Sequence, residues 1–331
     1  MTSIMAREAA SASELLAKQL MLNHESCERI AQKIQLLNPS VVYIVARGSS
    51  DHAGVFAKYL IEVELGIPVV AAAPSVVTVF HKQLKLDNAL VIGISQSGRS
   101  PDILQHMQMA KDAGALCIGL VNDESSPLAK LVDQLLPLRV EQEVAVAATK
   151  SYLACLSALL QLVAHCKKDP ELMAAVSEIP KALSLAIEGS KQLHSDMFKG
   201  CDKCIVLGRG FGYAIAKEVA LKLKEVCAIQ AEAFSSAEFV HGPVALAQKP
   251  LKVLSLGLLD ESQVAHEQQI DDVTQRGASV LSMKPFPDDV HPRLGALMIM
   301  QRFYLDIADI SLQLGCDPDS PQGLNKVTLT V

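Results

Sequence analysis

Ala89-Leu90-Val91-Ile92-Gly93-Ile94-Ser95-Gln96-Ser97-Gly98-Arg99-Ser100-Pro101-Asp102 decides the fold. Its first six residues, unbroken by a polar side chain, read as a strand buried on both faces, as in a parallel sheet covered by helices. Pro101 suits the first turn of a following helix, Ser100 its N-cap and Asp102 its positive end. Between strand and helix lie Ser95, Gln96, Ser97 and Gly98, with glycine letting the turn pass close to a ligand. Such a turn gathers backbone N–H groups, hydroxyls and a helix dipole, which together make an anion site. An ordinary capped helix accounts for Ser100 and Pro101 but not for four polar side chains in one turn.

Outward from this stretch, strand and helix patterns alternate. VVYIVA (41–46), PVVAAA (68–73), ALCIGLV (115–121) and QLLPLRV (134–140) read as further strands. Helical patterns fall at about 51–64, 101–113, 126–131 and 147–166, which supplies the crossovers that parallel strands need. Two amphipathic helices, about 7–20 and 25–36, come first, and one helix over about 170–193 reads as a linker. After Cys201 the pattern restarts. Ile44-Val45-Ala46-Arg47-Gly48 recurs as Val206-Leu207-Gly208-Arg209-Gly210, each followed by a helix, and strands at 252–258 and 279–283 alternate with helices near 261–276 and 292–314. The matched element order points to an internal duplication. The expected fold class is α/β, with two doubly wound parallel-sheet, flavodoxin-like domains in tandem and three αβα layers. Expected boundaries are N-terminal helices 1–38, a first domain 39–168, a linker helix 169–196, a second domain 197–314 and a tail 315–331.

Composition narrows the function. Among 331 residues half are apolar and only 4% aromatic, which suits Ala/Val/Leu/Ile cores between sheets and helices. A net charge of −6 argues against a nucleic-acid surface but leaves room for a locally positive site for a small anion. The N-terminus lacks the pattern of a signal peptide and no window has the length of a membrane span, so a cytoplasmic protein without a membrane partner is expected. The eight cysteines are scattered through apolar segments as core-filling thiols. Cys201-x-x-Cys204 has no second pair at zinc spacing, so neither a metal nor a redox role is expected there. Gly208-Arg209-Gly210-Phe211-Gly212, with Glu232 beyond it, approaches a dinucleotide fingerprint, but the third glycine comes one residue early. No cofactor is expected.

SQSGRSPD, AATK, ALKLKE, AEAFSSAEFVHGP and DSPQGLNKVTLTV, in that order, resemble the paired domains of the sugar isomerase (SIS) family, most closely the isomerase half of glucosamine-6-phosphate synthase. The resemblance covers nearly the whole chain after residue 40. It implies that Ser95, Gln96, Ser97 and Ser100 hold a sugar phosphate, that Ser49, Ser50 and Val146 line the sugar, and that Lys222 contributes to binding. It also implies that Glu225 moves a proton between C1 and C2, that His241 opens the sugar ring in a neighbouring subunit's site, and that Lys326 forms a Schiff base with the ketose. A homodimer with shared sites follows from the role of His241. Read without the resemblance, Glu225 is a solvated charge on a Lys-rich helix, His241 a loop residue and Lys326 a tail lysine.

The residue types fit the chemistry. One carboxylate reaching two adjacent carbons can remove and return a proton. A neutral His shuttles a proton near pH 7, and a lysine amine exchanges with an imine carbon. Arg99, Ala148 and Asn325 depart from the synthase pattern. The chain starts at Met1-Thr2 without a glutaminase segment to supply ammonia. The expected net reaction is therefore hydrolysis of glucosamine 6-phosphate to fructose 6-phosphate and ammonia, as in stand-alone SIS-type deaminases. The alternatives are a deglycase for fructosamine 6-phosphates such as fructoselysine 6-phosphate, and a non-catalytic sugar-phosphate sensor. One site per chain is expected, because the second half has no counterpart of SQSG.

Overall fold

The computed structural model describes residues 2–248, 250–324 and 326; Met1, Lys249, Asn325 and residues 327–331, the end of the expected tail, lie outside it. The described chain falls into two compact units. One consists of Glu14–Gln142 and Lys150–Ser177. The other consists of Glu143–Thr149 and Glu178–Lys326 together with the stretch up to Ser13.

Helices α1 (Ile4–Ala10) and α2 (Ala12–Leu37) open the chain. The first unit is built on β1 (Val41–Val45), β2 (Val69–Ala71), β3 (Ala89–Ile94), β4 (Leu116–Val121) and β5 (Gln134–Pro137), all parallel, in the order β2-β1-β3-β4-β5. Its helices are α3 (Ser49–Leu65), α4 (Ser75–Thr78), α5 (Pro101–Asp112), α6 (Pro127–Leu131), α7 (Lys150–Lys167) and α8 (Pro170–Ser177). Every residue of β3 is buried, as its unbroken apolar run requires. Tyr43, Val91 and Cys117 pack with Ile103 and Met107 of α5 in one core layer. Phe56 and Leu60 of α3 and Leu156 of α7 are fully buried as well.

The second unit continues with α9 (Ile179–Glu188), β6 (Lys203–Gly208), α10 (Phe211–Cys227), β7 (Gln230–Ser235), α11 (Ser236–Val240), β8 (Lys252–Leu256), α12 (Gln263–Gln275), β9 (Ser279–Met283) and α13 (Gly295–Gln313). Its sheet is parallel in the order β7-β6-β8-β9, the same sense of winding as the first. The expected tandem of doubly wound α/β sheets is what the chain forms.

Three elements differ from the expectation, each for a local reason. The two N-terminal helices were expected to break near residue 21–24, but α2 runs through. Asn23, a poor helix former, is fully buried with tertiary partners: its Nδ2 donates to the Pro137 carbonyl (2.8 Å) and its Oδ1 accepts from Arg139 Nε (2.9 Å). The expected linker helix is two helices that meet at Glu178: Pro180 lies in the first turn of α9, where its missing N–H withholds a bond that would continue α8. β7 escaped notice because it pairs only with β6 and mixes exposed and buried residues.

A buried polar chain holds the second sheet to its helices. His266 of α12 bonds Ser255 of β8 through Nε2 (2.9 Å) and Ser236 of α11 through Nδ1 (3.0 Å), and Ser236 donates to Gln269 Oε1 (2.5 Å). Burial pushes the imidazole down to about 4. The folded chain therefore keeps His266 neutral while the unfolded chain takes up a proton near its ordinary value of 6.5. Stability should be complete above that value and fall as pH drops toward 4, by about 3 kcal/mol in all. Denaturant titrations between roughly pH 7 and pH 4.5 should show this slope flattened in His266→Gln; an unchanged slope contradicts the assignment.

Candidate functional site

In the first sheet the strand order reverses between β1 and β3, with β2 on one side and β4 and β5 on the other. Ligands of open α/β sheets bind at the carboxyl ends of the strands at such a switch point. The two loops that flank it are Ala46-Arg47-Gly48, leading into Ser49 and Ser50 of α3, and Ser95–Ser100, leading into α5. The structure thus brings Ser49, Ser50, Ser95, Gln96, Ser97 and Ser100 to one sheet edge. An ion pair ties the loops: Arg47 Nε meets Asp102 Oδ2 at 2.7 Å, with the carboxylate buried and the arginine side chain half exposed. Arg47 was not among the expected site residues, although the Arg-Gly shared by the two repeats was a visible signal.

The turn after β3 folds on its own hydroxyls. Gly98 N–H donates to Ser95 Oγ (3.1 Å) and Arg99 N–H to Ser97 Oγ (3.3 Å). A hydroxyl that accepts in this way keeps its O–H for an external acceptor. Ser100 sits at the N-cap of α5, yet its side chain makes no capping bond. Its place at the N-cap is the expected one and its carbonyl accepts from Leu104 N–H, while the hydroxyl makes no bond to the helix. Backbone bonds fix the turn from behind: Ser95 N–H to Leu120 O, Asn122 N–H to Gln96 O and Leu128 N–H to Gly98 O. Gly98 has φ +62°, and a Cβ there would lie 2.2 Å from Ser126 Oγ. Glycine is therefore required by packing against the fully buried Ser126, whereas the sequence reading gave it to the ligand.

Beside Gln96 and Ser97 a cavity of about 430 Å³ opens between Arg99, Asn122, Arg139 and Glu141. Arg99 pairs with Asp123 at 2.6 Å, and the Ser125 hydroxyl together with Arg99 holds that carboxyl down at about 2. Val146, expected to line the sugar, lies in the stretch Glu143–Thr149, which clusters with the other unit.

In that other unit, Glu218, Lys222 and Glu225 line one face of α10. Lys222 Nζ lies 2.5 Å from Glu225 Oε2 and 3.3 Å from Glu218 Oε1, and Tyr304 donates to Glu218. Burial alone would lower the Lys222 pKa, but the two carboxylates overcome it and raise the value, so the lysine is a fixed ammonium. Lys222 is 1% exposed and Glu225 22%, which leaves the carboxylate of Glu225 as the accessible member. His241 is exposed in the turn after α11, its N–H bonded to Glu238 O.

Val146 and Lys326 share a platform made by the two ends of the chain. Lys326 Nζ donates to Ala145 O (2.7 Å) and pairs with the buried Glu143 at 3.1 Å. Glu8 of α1 accepts from the N–H groups of Val144 and Ala145, and Asp319 accepts from those of Ile4 and Met5 while its carbonyl accepts from Val146 N–H. Glu143 was missed in the sequence, where nothing distinguished it from a solvated loop acid.

The weighed alternatives find no support in the geometry. Burial pushes the Cys204 thiol up to about 12 and raises that of Cys201, so neither is a ready thiolate. The glycines of Gly208–Gly212 serve packing, since a Cβ on Gly208 would lie 2.2 Å from the Gly212 carbonyl. Asp260 then closes the second switch point by accepting from the N–H and hydroxyl of Ser262. Among the described residues no cluster of three or more His, Cys, Asp or Glu is placed to hold a metal ion, and no helix is long and apolar enough to cross a membrane.

Two doubly wound sheets, the first with a hydroxyl-lined switch point, define an α/β protein built to accept a small anion. The SIS domain family model matches residues 35–165 and 197–291, and the chain belongs to that family. It is 33% identical over 311 residues to glutamine–fructose-6-phosphate aminotransferase (isomerizing) of Geobacillus kaustophilus, a match that covers 88% of this chain and 52% of that protein. The chain thus spans about half the length of the curated relatives it matches. A solved chain from Silicibacter pomeroyi DSS-3 that bears a phosphosugar isomerase assignment superposes with a TM-score of 0.91 at 33% identity, covering 96% of this chain and 100% of that one. Glucosamine-6-phosphate deaminase of Thermotoga maritima shares the fold, with a TM-score of 0.80 at 22% identity over 99% of this chain and 100% of that one.

Because Ser100 makes no capping bond, Ser100→Ala should leave the thermal midpoint within the range of a neutral surface change, about 0.5 kcal/mol, where a working cap would lose about 1 kcal/mol. The same variant should weaken binding of inorganic phosphate, read by phosphorus NMR titration. A destabilised variant with unchanged phosphate binding contradicts this reading.

Proposed function

We propose that the chain is an aldose–ketose isomerase of phosphorylated amino sugars whose net reaction is hydrolysis of glucosamine 6-phosphate to fructose 6-phosphate and ammonia. The observation that carries this reading is the turn Ser95–Ser100, where three hydroxyls can donate to one anion beside the half-exposed guanidinium of Arg47. A phosphate group anchored there supplies binding energy remote from the reacting carbons. The near-complete overlap with the Silicibacter pomeroyi chain supports a phosphosugar, and the likeness to the aminotransferase supports an amino sugar.

His241 moves the proton that opens the pyranose ring. Glu225, whose Oε2 lies 2.5 Å from Lys222 Nζ, takes the proton from C2 and returns it to C1, which converts the 2-amino aldehyde to a C2 iminium with a C1 alcohol. Water adds to C2 and ammonia leaves. In a second route the Lys326 amine displaces ammonia at C2, and water then cleaves the lysyl imine. Lys326 starts this route as an ammonium paired with Glu143, the carboxylate that takes up its proton. Ser49, Ser50 and Val146 line the sugar, and the partner subunit supplies His241 to each site of a homodimer.

Purified protein given glucosamine 6-phosphate should release ammonia and fructose 6-phosphate in equal amounts. Glu225→Gln should lower kcat by about 100- to 10,000-fold while leaving phosphosugar binding intact. No ammonia from glucosamine 6-phosphate, together with turnover of another phosphosugar, contradicts the substrate assignment.

Shared sites make a separate prediction. Mixing inactive Glu225→Gln and His241→Asn proteins under subunit exchange should restore up to about a quarter of native activity, since half the dimers then hold one intact site. Activity that stays at the level of the separate variants contradicts the contribution of His241 across subunits.

A further inference from the structure

The loop Glu143–Thr149 belongs to no helix or strand, yet its backbone is hydrogen-bonded, and the partners come from both ends of the chain. Three successive N–H groups are taken in turn. Val144 N–H donates to Glu8 Oε1 (2.6 Å), Ala145 N–H to Glu8 Oε2 (3.1 Å) and Val146 N–H to the Asp319 carbonyl (3.0 Å). Consecutive N–H groups converging on one carboxylate form the kind of backbone cradle that also binds free anions. Here the anion is a side chain of α1. Glu8 is 8% exposed and Ala145 is fully buried, so water does not compete for their bond.

The same loop aims Lys326. The Ala145 carbonyl accepts from Lys326 Nζ at 2.7 Å, and it belongs to the peptide unit whose N–H, that of Val146, is held by Asp319. The second partner of Lys326 is Glu143, whose buried carboxylate also accepts from Thr149 N–H (2.9 Å) at the far end of the loop. Both groups that fix the lysine amine therefore ride on a segment without secondary structure of its own, and Glu8 supplies two of the bonds that shape it.

Helix α1 is itself held in place. Asp319 accepts from the N–H groups of Ile4 (2.9 Å) and Met5 (2.8 Å), and Ser3 Oγ accepts from Ala6 N–H. At its other end the Ala9 carbonyl accepts from Gln301 Nε2 of α13 (2.9 Å), and Met5 and Ala9 are fully buried. A helix of seven residues is too short to persist alone, so these tertiary bonds decide where it lies and where the Glu8 carboxylate points.

We propose that Glu8 is a positioning residue for Lys326: its carboxylate clamps the Val144 and Ala145 N–H groups, and through the loop it sets the Ala145 carbonyl and Glu143 that hold the lysine amine. Glu8 acts through the loop and not on the sugar. The inference rests on the reading that Lys326 meets the ketose. The clamp serves turnover and leaves the grip on phosphate alone, because the hydroxyls of the Ser95–Ser100 turn lie in the other unit.

The test uses the full chain with Glu8→Gln, which keeps one acceptor oxygen, and Glu8→Ala, which keeps none. Acetylation by N-hydroxysuccinimidyl acetate without sugar, followed by mass spectrometry, reads how firmly Lys326 is held. Lys326 should acetylate about three- to tenfold faster in Glu8→Ala than in the native chain, with Glu8→Gln between them and the exposed Lys18 unchanged. In ammonia release from glucosamine 6-phosphate, kcat should fall about 10- to 100-fold in Glu8→Ala while KM stays within about twofold, and Glu8→Gln should recover part of the loss. If Glu8→Ala unfolds, the milder Glu8→Gln decides by the same two readouts. Unchanged Lys326 acetylation, native kcat, or a raised KM at native kcat overturns the proposal. If the native chain releases no ammonia, the substrate reading fails instead, and the acetylation rates alone decide the clamp.

Discussion

The ion pair between Arg47 and Asp102 joins the two loops on which the candidate anion site depends. Asp102 is almost wholly buried at the start of α5, where it also accepts from the Ile103 N–H; removing one partner of a buried ion pair costs about 3–5 kcal/mol, less here because Arg47 is half exposed. The pair bridges the loops after β1 and β3, and because the carboxylate is buried while the arginine is half exposed, it is the guanidinium that faces the crevice. The hydroxyls of Ser95 and Ser97 are then oriented by backbone N–H donors, so the groups that meet an anion are in place before it arrives.

Why only one of two equally wound sheets presents such a crevice follows from the loops. After β3 come serines, glutamine and glycine. After β8 come Asp260 and Glu261, of which Asp260 satisfies Ser262 and Glu261 holds Arg293 through two bonds at 2.7 and 2.8 Å. Carboxylates at a strand's end repel an anion, and their hydrogen bonds already use the donors that would bind one. The same topology therefore carries an open polar switch point in one unit and a closed acidic one in the other.

Much of the fold was legible because buried parallel strands announce themselves as apolar runs: β1, β3 and β4 are unbroken, β6 is apolar after Lys203, and β8 after Lys252 is interrupted by Ser255 alone. β7 was not legible, since an edge strand with exposed Glu232 lacks that pattern. The fusion of the N-terminal helices was hidden because the stability of helix at Asn23 comes from Pro137 and Arg139, more than a hundred residues away. At the candidate site, the turn Ser95–Ser100 was legible from local chemistry alone. Arg47 and Glu143 were not, because their significance lies in partners, Asp102 and Lys326, that only the folded chain supplies. Gly98 shows the reverse error: the residue was singled out rightly, and its reason is Ser126.

The central claim is that the hydroxyls between Ser95 and Ser100 grip a phosphate dianion. Isothermal titration of fructose 6-phosphate and of fructose into the native chain and into the Ser95→Ala, Ser97→Ala double variant tests it most directly. The account predicts that the phosphate group adds at least about 3 kcal/mol to binding by the native chain, and that the double variant loses most of that difference through two missing charge-assisted hydrogen bonds. Equal binding of both sugars by the native chain, or an undiminished preference for the phosphorylated sugar in the double variant, would contradict it.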